Sequence, residues 1–185
     1  MIIDFHTHFY PEKIVAKALA AAREKAKIEP FASGTRDGLI ASMRDAGIDL
    51  AVALPLVNIP GNGPGLIRWA ELNHRPPVIM LGSVHPRDPE FMATLDAVRR
   101  AGFAGVKVHP EYQNFSFDEP ELEPVWSKIA EMGLFLLTHA GADSGFPPPW
   151  HSDPASLRRF HQRHPELTLV LRSEEHTSEL QSLAY

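Results

Sequence analysis

Histidines near the ends of apolar runs are the residues of this sequence that are best suited to carry out chemistry. The first two, His6 and His8, lie in the opening segment IIDFHTHFYP. If this segment is a strand, alternate residues share a face, so Asp4, His6 and His8 point the same way. Two neutral imidazoles on one face can hold a divalent ion such as zinc. A solvent-facing pair at a strand end explains an isolated HxH equally well, so the pair alone decides nothing.

Two further histidines end later apolar runs: His109 in GVKVHP and His139 in LLTHAG. Catalytic groups of β/α barrels lie at the carboxyl ends of the strands. The same alternation directs Lys107 into the barrel beside His109, and a buried lysine needs a partner. Asp4 or an anionic substrate is the preferred partner, and carbamylation that bridges two metals is the alternative. We therefore predict Lys107 and His109 as catalytic residues that orient an acidic substrate group.

Six short apolar runs alternate with segments of helical period, which is the pattern of repeated βα units around a parallel sheet. The predicted strands are Ile2 to His6, Leu50 to Pro55, Val78 to Val84, Gly105 to His109, Leu134 to His139 and Leu167 to Leu171. The predicted helices are Pro11 to Ile28, Asp37 to Ala46, Leu66 to Asn73, Pro89 to Ala101, Pro120 to Met132 and Pro154 to His164. The class is α/β, and the architecture is an incomplete TIM-like (β/α) barrel with about six of eight units.

The segment RSEEHTSELQS, from Arg172 to Ser182, is similar to the in-frame translation of a sequencing adapter. We therefore predict a partial barrel over residues 1–171 and a non-native, adapter-like tail over residues 172–185. An authentic acidic helix is the alternative for this tail.

Composition restricts the partners. The net charge is −5, which offers no basic surface for nucleic acid, and the absence of cysteine leaves His, Asp, Glu and Lys as the metal ligands. No apolar run approaches the length of about 20 residues that a membrane span needs. We expect a cytoplasmic protein with a small-molecule substrate, no nucleic acid and no membrane partner, and we leave a homo-oligomer of the full-length parent open.

Taken in order, several segments resemble the amidohydrolase superfamily, and most closely its amidohydrolase-related branch of metal-dependent hydrolases and decarboxylases. The matching segments are IIDFHTHFYP, LIASMRDAGIDLAVALPL, GFAGVKVHPEYQNF, LFLLTHAGADSGFPPPWHSDP and HPELTLVL. An opening HxH also occurs in phosphoesterases of the polymerase-and-histidinol-phosphatase type, so the ordered combination carries the resemblance.

The resemblance implies that His6, His8 and His139 bind a divalent metal, for which zinc is expected. It also implies a sixth-strand His and an eighth-strand Asp that acts as general base, and this sequence contains neither. The implied activity is metal-dependent hydrolysis, in which a metal-activated water attacks a carbonyl-type centre. The alternatives are a metal-dependent decarboxylase on the same scaffold and a chain that is inactive as given.

Other polar residues receive weaker predictions. His85 precedes a proline and is predicted in a turn rather than as a ligand. The loop Ala142 to Ser152 would cover the mouth of the site, where its aromatic residues either select an apolar substrate or, as we prefer, pack the loop down. Glu111 and Asn114 could touch substrate. Three histidines are predicted on solvated helix faces or ends, namely His74, His161 and His164.

Overall fold

A computed structural model describes residues 1–25, 29–143 and 145–172. Its strands are β1 (Ile3–Thr7), β2 (Leu50–Ala53), β3 (Val78–Met80), β4 (Gly82–Ser83), β5 (Gly105–Val108), β6 (Phe135–His139) and β7 (Leu169–Arg172). They form two sheets, in the orders β1-β2-β3 and β4-β5-β6-β7, and every pairing between strands is parallel. The fold is the predicted incomplete α/β barrel.

The third predicted strand, Val78 to Val84, is interrupted in the structure. β3 ends at Met80 and β4 begins at Gly82, and the N–H of Leu81 between them donates to Ala53 O at 3.1 Å. A hydrogen bond from Ser83 Oγ to the carbonyl of Lys107 then ties β4 to β5, at 2.8 Å. β3 and β4 thus share one strand position, and the two sheets together form a single wall of six strand positions.

The helices alternate with the strands as predicted. They are α1 (Glu12–Lys25), α2 (Arg36–Ala46), α3 (Gly63–Asn73), α4 (Phe91–Arg100), α5 (Pro110–Gln113), α6 (Glu123–Glu131) and α7 (Pro154–Arg163), with a 3-10 turn at Pro120–Leu122. The predicted end of the first helix, Ile28, lies outside the described residues. The sequence did not indicate the short helix α5.

Capping residues account for several helix boundaries. Thr35 Oγ1 accepts from the N–H of Gly38 at the start of α2, and Asp153 Oδ1 accepts from Ala155 and Ser156 at the start of α7. At its other end α2 stops at Gly47, whose φ of +68° is a left-handed conformation that glycine adopts without steric cost. Local sequence therefore begins and ends these helices at defined positions.

Buried apolar residues form two clusters in the fold. The larger cluster packs strands against helices, and it includes Val106 and Val108 of β5. A smaller cluster comprises Val52, Leu54, Leu81 and Leu137. Lys107 alternates with the two valines and is 2% exposed, so the sequence prediction that this lysine is buried is confirmed.

The two terminal strands of the wall each pair on one side only among the described strands. β1 pairs with β2 and β7 pairs with β6. Both carry exposed apolar side chains, since Ile3 and Phe5 are each 46% exposed and Leu171 is 43% exposed. None of the described helices is long and apolar enough to cross a membrane, and the cytoplasmic location stays a prediction.

Candidate metal centre

The predicted site residues lie at one edge of the parallel wall. His6 belongs to β1 and His8 follows it, His139 is the last residue of β6, and His109 comes directly after β5. Because the strands are parallel, their carboxyl ends meet at the same edge. The fold therefore collects these histidines on the face where β/α barrels carry out chemistry.

His6 and His8 converge. Their Nε2 atoms are 2.9 Å apart, and Nδ1 of His8 lies 3.0 Å from the carbonyl of Leu54, which follows β2. The carbonyl can only accept, so His8 donates from Nδ1 and presents the lone pair of Nε2 to His6. Two ligand nitrogens around a tetrahedral zinc, each about 2.1 Å from the ion, are ~3.4 Å apart. The pair thus has nearly the spacing that one ion requires.

The alternation predicted for β1 holds from Ile3 to His6, where exposed and partly buried residues alternate, and it fails at Thr7, which is buried. The register between β1 and β2 shifts between Asp4 and Thr7. The carboxylate of Asp4 accepts a hydrogen bond from the backbone N–H of His6 at 3.0 Å, and the hydroxyl of Thr7 donates to Val52 O at 3.0 Å. The predicted pairing of Asp4 with Lys107 stays a prediction.

A second group lies at the ends of β5 and β6. Ligand atoms of His109, His139 and Asp143 all lie within 4.8 Å of one another, and this is the one set of at least three such side chains among the residues that the structure describes. The rings of His109 and His139 stack, with centroids 4.7 Å apart and 10° between their planes. His139 Nε2 also lies 3.0 Å from the carbonyl of Ala142. By these distances, His139 is grouped with His109. Its predicted role as a ligand beside His6 and His8 stays a prediction.

Electrostatic contacts connect the two groups. Burial, together with the smaller effects of positive charge on His8, Lys107 and Arg172, lowers the pKa of His6 to about 2. Burial also lowers the pKa of His109 to about 2, and Lys107 is the next largest cause. Desolvation of its ring by the surrounding protein lowers the pKa of His8 to about 4, and the charge of Lys107 is the next largest cause. These imidazoles are therefore neutral at pH 7, and the neutral form is the one that binds a metal.

Gln113, in α5, joins the ends of three strands and was not singled out from the sequence. Its side chain is buried, and its Nε2 donates to the carbonyls of Val57 at 2.7 Å and Val84 at 2.9 Å. Its Oε1 accepts from the backbone N–H of His109 at 2.8 Å. The amide thus links the segments after β2, β4 and β5, and it fixes the backbone that carries His109.

The loop after β6 lies against α5. Phe146 and Tyr112 meet edge to face with centroids 4.9 Å apart, and Tyr112 meets the ring of His109 in the same way at 4.7 Å. The indole Nε1 of Trp150 donates to Phe146 O at 3.1 Å, within the loop itself. These contacts agree with the prediction that the aromatic residues pack the loop down. Ser144 of this loop lies outside the described residues.

The prediction of a solvated helix end is wrong for His164. This side chain is buried, and its Nε2 lies 2.6 Å from Glu123 Oε2, because the chain after α7 turns back against the start of α6. His74 is partly buried, and its Nδ1 accepts from the N–H of Met80 at 3.0 Å. His161 is exposed, as predicted.

A family model described as amidohydrolase matches residues 3–172. The chain belongs to the amidohydrolase family. The match covers the wall from β1 to β7, so it includes both groups of histidines. No curated protein matches this chain.

Solved structures share the fold of this chain. An uncharacterised TIM-barrel protein of Bordetella bronchiseptica superposes with a TM-score of 0.68 at 18% identity, over 91% of this chain and 65% of its own. A 5-carboxyvanillate decarboxylase of Novosphingobium aromaticivorans with bound manganese superposes with a TM-score of 0.61 at 19% identity, over 92% of this chain and 65% of its own. A probable 2-pyrone-4,6-dicarboxylic acid hydrolase of Acinetobacter baumannii superposes with a TM-score of 0.58 at 14% identity, over 92% of this chain and 57% of its own. The chain thus spans less than two thirds of the length of these relatives.

Proposed function

We propose that this chain carries the metal-binding part of a metal-dependent hydrolase that acts on a small-molecule substrate. The observation that carries the proposal is the convergence of His6 Nε2 and His8 Nε2, 2.9 Å apart, on the catalytic edge of an amidohydrolase barrel. The resemblance of the sequence to its family adds His139 as the third ligand.

The donor set fits a divalent ion. The carbonyl of Leu54 holds the proton of His8 on Nδ1, which leaves Nε2 as a ligand. Zinc is our first choice, because imidazole nitrogens suit it, and manganese is the second because the decarboxylase relative carries it. When bound, the ion would supply Lewis-acid chemistry and lower the pKa of a water molecule.

Lys107 and His109 have the positions to orient an acidic substrate group. Lys107 is 2% exposed and acts electrostatically on His6, His8 and His109, so its charge is directed to the same space. A cation enclosed by protein attracts an anionic group more strongly than one in water does. We therefore propose that the substrate carries a carboxylate.

A decarboxylase is the second candidate. It is favoured by the positive charge of Lys107 near the imidazoles and by the decarboxylase among the solved relatives. In this reaction the substrate carboxylate leaves as carbon dioxide and no water attacks a carbonyl carbon. The two candidates therefore differ in whether carbon dioxide or a hydrolysed carbonyl compound is formed.

Metal content tests the proposal without depending on turnover. The chain is stripped with a chelator, loaded with zinc or manganese, and its bound metal is measured by mass spectrometry. We expect a tightly bound ion that His6→Ala and His8→Ala remove, and unchanged metal in both variants would overturn the proposal. Incubation with lactones, amides and aromatic carboxylates, with detection of carbon dioxide, then separates hydrolase from decarboxylase.

A further inference from the structure

Glu111 is a buried carboxylate beside the second group of histidines. Its side chain is 2% exposed. Oε1 accepts from the backbone N–H of Ser152 at 3.1 Å and from the Ser152 hydroxyl at 2.9 Å. These bonds anchor Glu111, which belongs to α5, to the far end of the loop that follows β6.

The other carboxylate oxygen faces His109. Glu111 Oε2 lies 3.6 Å from His109 Nδ1, and neither atom has a hydrogen bond to any part of the chain that the structure describes. A buried carboxylate oxygen without a donor destabilises the fold, because it has lost its water and gained no hydrogen bond. The ring nitrogen that faces it can donate to it when it carries the proton. A neutral imidazole has one N–H, so the position of Glu111 favours the tautomer of His109 with the proton on Nδ1.

This tautomer leaves a lone pair on His109 Nε2. That atom lies 3.4 Å from Asp143 Oδ2, and the side chains of His109 and Asp143 are each only 12% exposed. A nitrogen lone pair and a carboxylate oxygen repel each other unless a cation or a donor lies between them. His139 supplies a third ligand atom within 4.8 Å of both. Two imidazoles and one carboxylate are a ligand set that zinc and similar divalent ions accept.

We propose that His109, His139 and Asp143 form a second site for a divalent cation, and that Glu111 is the positioning residue that fixes the tautomer of His109. The site goes beyond the proposed function, which needs the His6–His8 pair, and the two share His139. Glu111 does not touch the ion. It acts through His109, as carboxylates that orient metal-binding histidines do.

The tautomer can be measured on the zinc-loaded wild-type chain, where the cation removes the repulsion between His109 Nε2 and Asp143, by NMR of its histidine ring nitrogens. The signals of His109 are assigned by their absence from the spectrum of His109→Asn. We expect the proton on Nδ1. A proton on Nε2 would overturn the proposal, and the measurement requires no substitution at Glu111.

Metal titration by calorimetry, with zinc and with manganese, tests the site itself. Glu111→Gln replaces the carboxylate by an amide that can donate to Nδ1, so the proton of His109 moves to Nε2 and metal affinity falls about 10- to 100-fold. Glu121→Gln is the matched control, since Glu121 is exposed, and it should bind as the wild type does. Equal affinity in Glu111→Gln and the wild type would contradict the role of Glu111.

A variant without the His6–His8 pair separates the two proposals. His6→Ala combined with His8→Ala should retain one cation through the second group, and Asp143→Asn in this background should abolish it. Loss of all binding in the double variant would overturn a separate second site. Wild-type stoichiometry in the double variant would instead overturn the proposed function and leave the second site standing. If Glu111→Gln fails to fold, as judged by circular dichroism, the tautomer of His109 in the wild type decides whether Glu111 has the proposed role.

Discussion

Arg172 and His139 occupy paired positions on the neighbouring strands β7 and β6. The carbonyl of Arg172 accepts from the N–H of Ala140 at 2.9 Å, so the end of β7 is held against the residue that follows His139. Arg172 is also one of the charges that lower the pKa values of His6 and His8. A permanent cation thus lies on the same edge as the candidate metal ligands.

The charge of Arg172 should oppose metal binding. We expect Arg172→Gln, which removes the charge, to raise the affinity for zinc several-fold, since like charges near a partly buried site repel one another. Arg172→His should raise it further, because it removes the charge and adds an imidazole. Calorimetric titration of both variants measures the effect, and affinities equal to that of the wild type would contradict it.

The His6–His8 pair should account for metal binding at β1. We expect His6→Ala to lower zinc affinity at least 10-fold, because it removes one of two converging nitrogens. His161→Ala is the control, since His161 is exposed on α7. Titration of a fluorescent chelator that competes for zinc provides the measurement. Equal losses in the two variants would point to a general effect of removing histidines.

Stability should decrease in mild acid. The folded chain holds the pKa values of His6 and His109 well below the value of 6.5 that applies to the unfolded chain. Below pH 6.5 the unfolded state therefore binds more protons, and the free energy of unfolding falls as pH falls. Each of the two histidines contributes a slope of up to about 1.4 kcal/mol per pH unit.

Urea unfolding at pH 8.5, 7.5, 6.5 and 5.5 measures this dependence. His109→Asn should flatten it below pH 6.5 and leave the slope above pH 7 unchanged. His6 and His109 are the informative residues, because their side chains are more buried than that of the exposed His8. If the stability of His109→Asn falls with pH as steeply as that of the wild type, His109 does not contribute to this pH dependence and the prediction is wrong.

Phe160 should be important for the stability of the wall behind the site. It is 1% exposed and contacts Phe117 at 4.5 Å and Trp126 at 5.6 Å between ring centroids. Phe160→Ala should lower the free energy of unfolding by about 3–5 kcal/mol, because it opens a cavity in a packed cluster. Phe31→Ala, at a fully exposed position, should change it by less than about 0.5 kcal/mol. Urea denaturation compares the two.

Most of the fold follows from the pattern of apolar runs. The strand at Leu50 and the helix end before Gly47 lie where the sequence predicts them, because burial and a left-handed glycine are properties of local sequence. The break at Leu81 depends on its hydrogen bond to β2, which no local pattern encodes. The short helix α5 has too few residues to show a helical period.

The candidate site was predictable only in part. His6, His8, His109 and His139 stand out because each lies at or just beyond the end of an apolar run. Asp143 does not, since its place beside His109 depends on the course of the loop after β6. Its only sequence signal is the spacing in HAGAD, four residues after His139.

Gln113 has a consequence for how a substrate enters. Its one amide holds the segments after β2, β4 and β5 to one another, so these three segments cannot separate independently without breaking buried hydrogen bonds. This rim of the barrel therefore moves as one rigid unit at the entrance to the site. The loop segment that contains Phe146 meets α5 through the ring contact with Tyr112, so we expect any widening of the entrance to involve this segment rather than the strand ends that Gln113 joins.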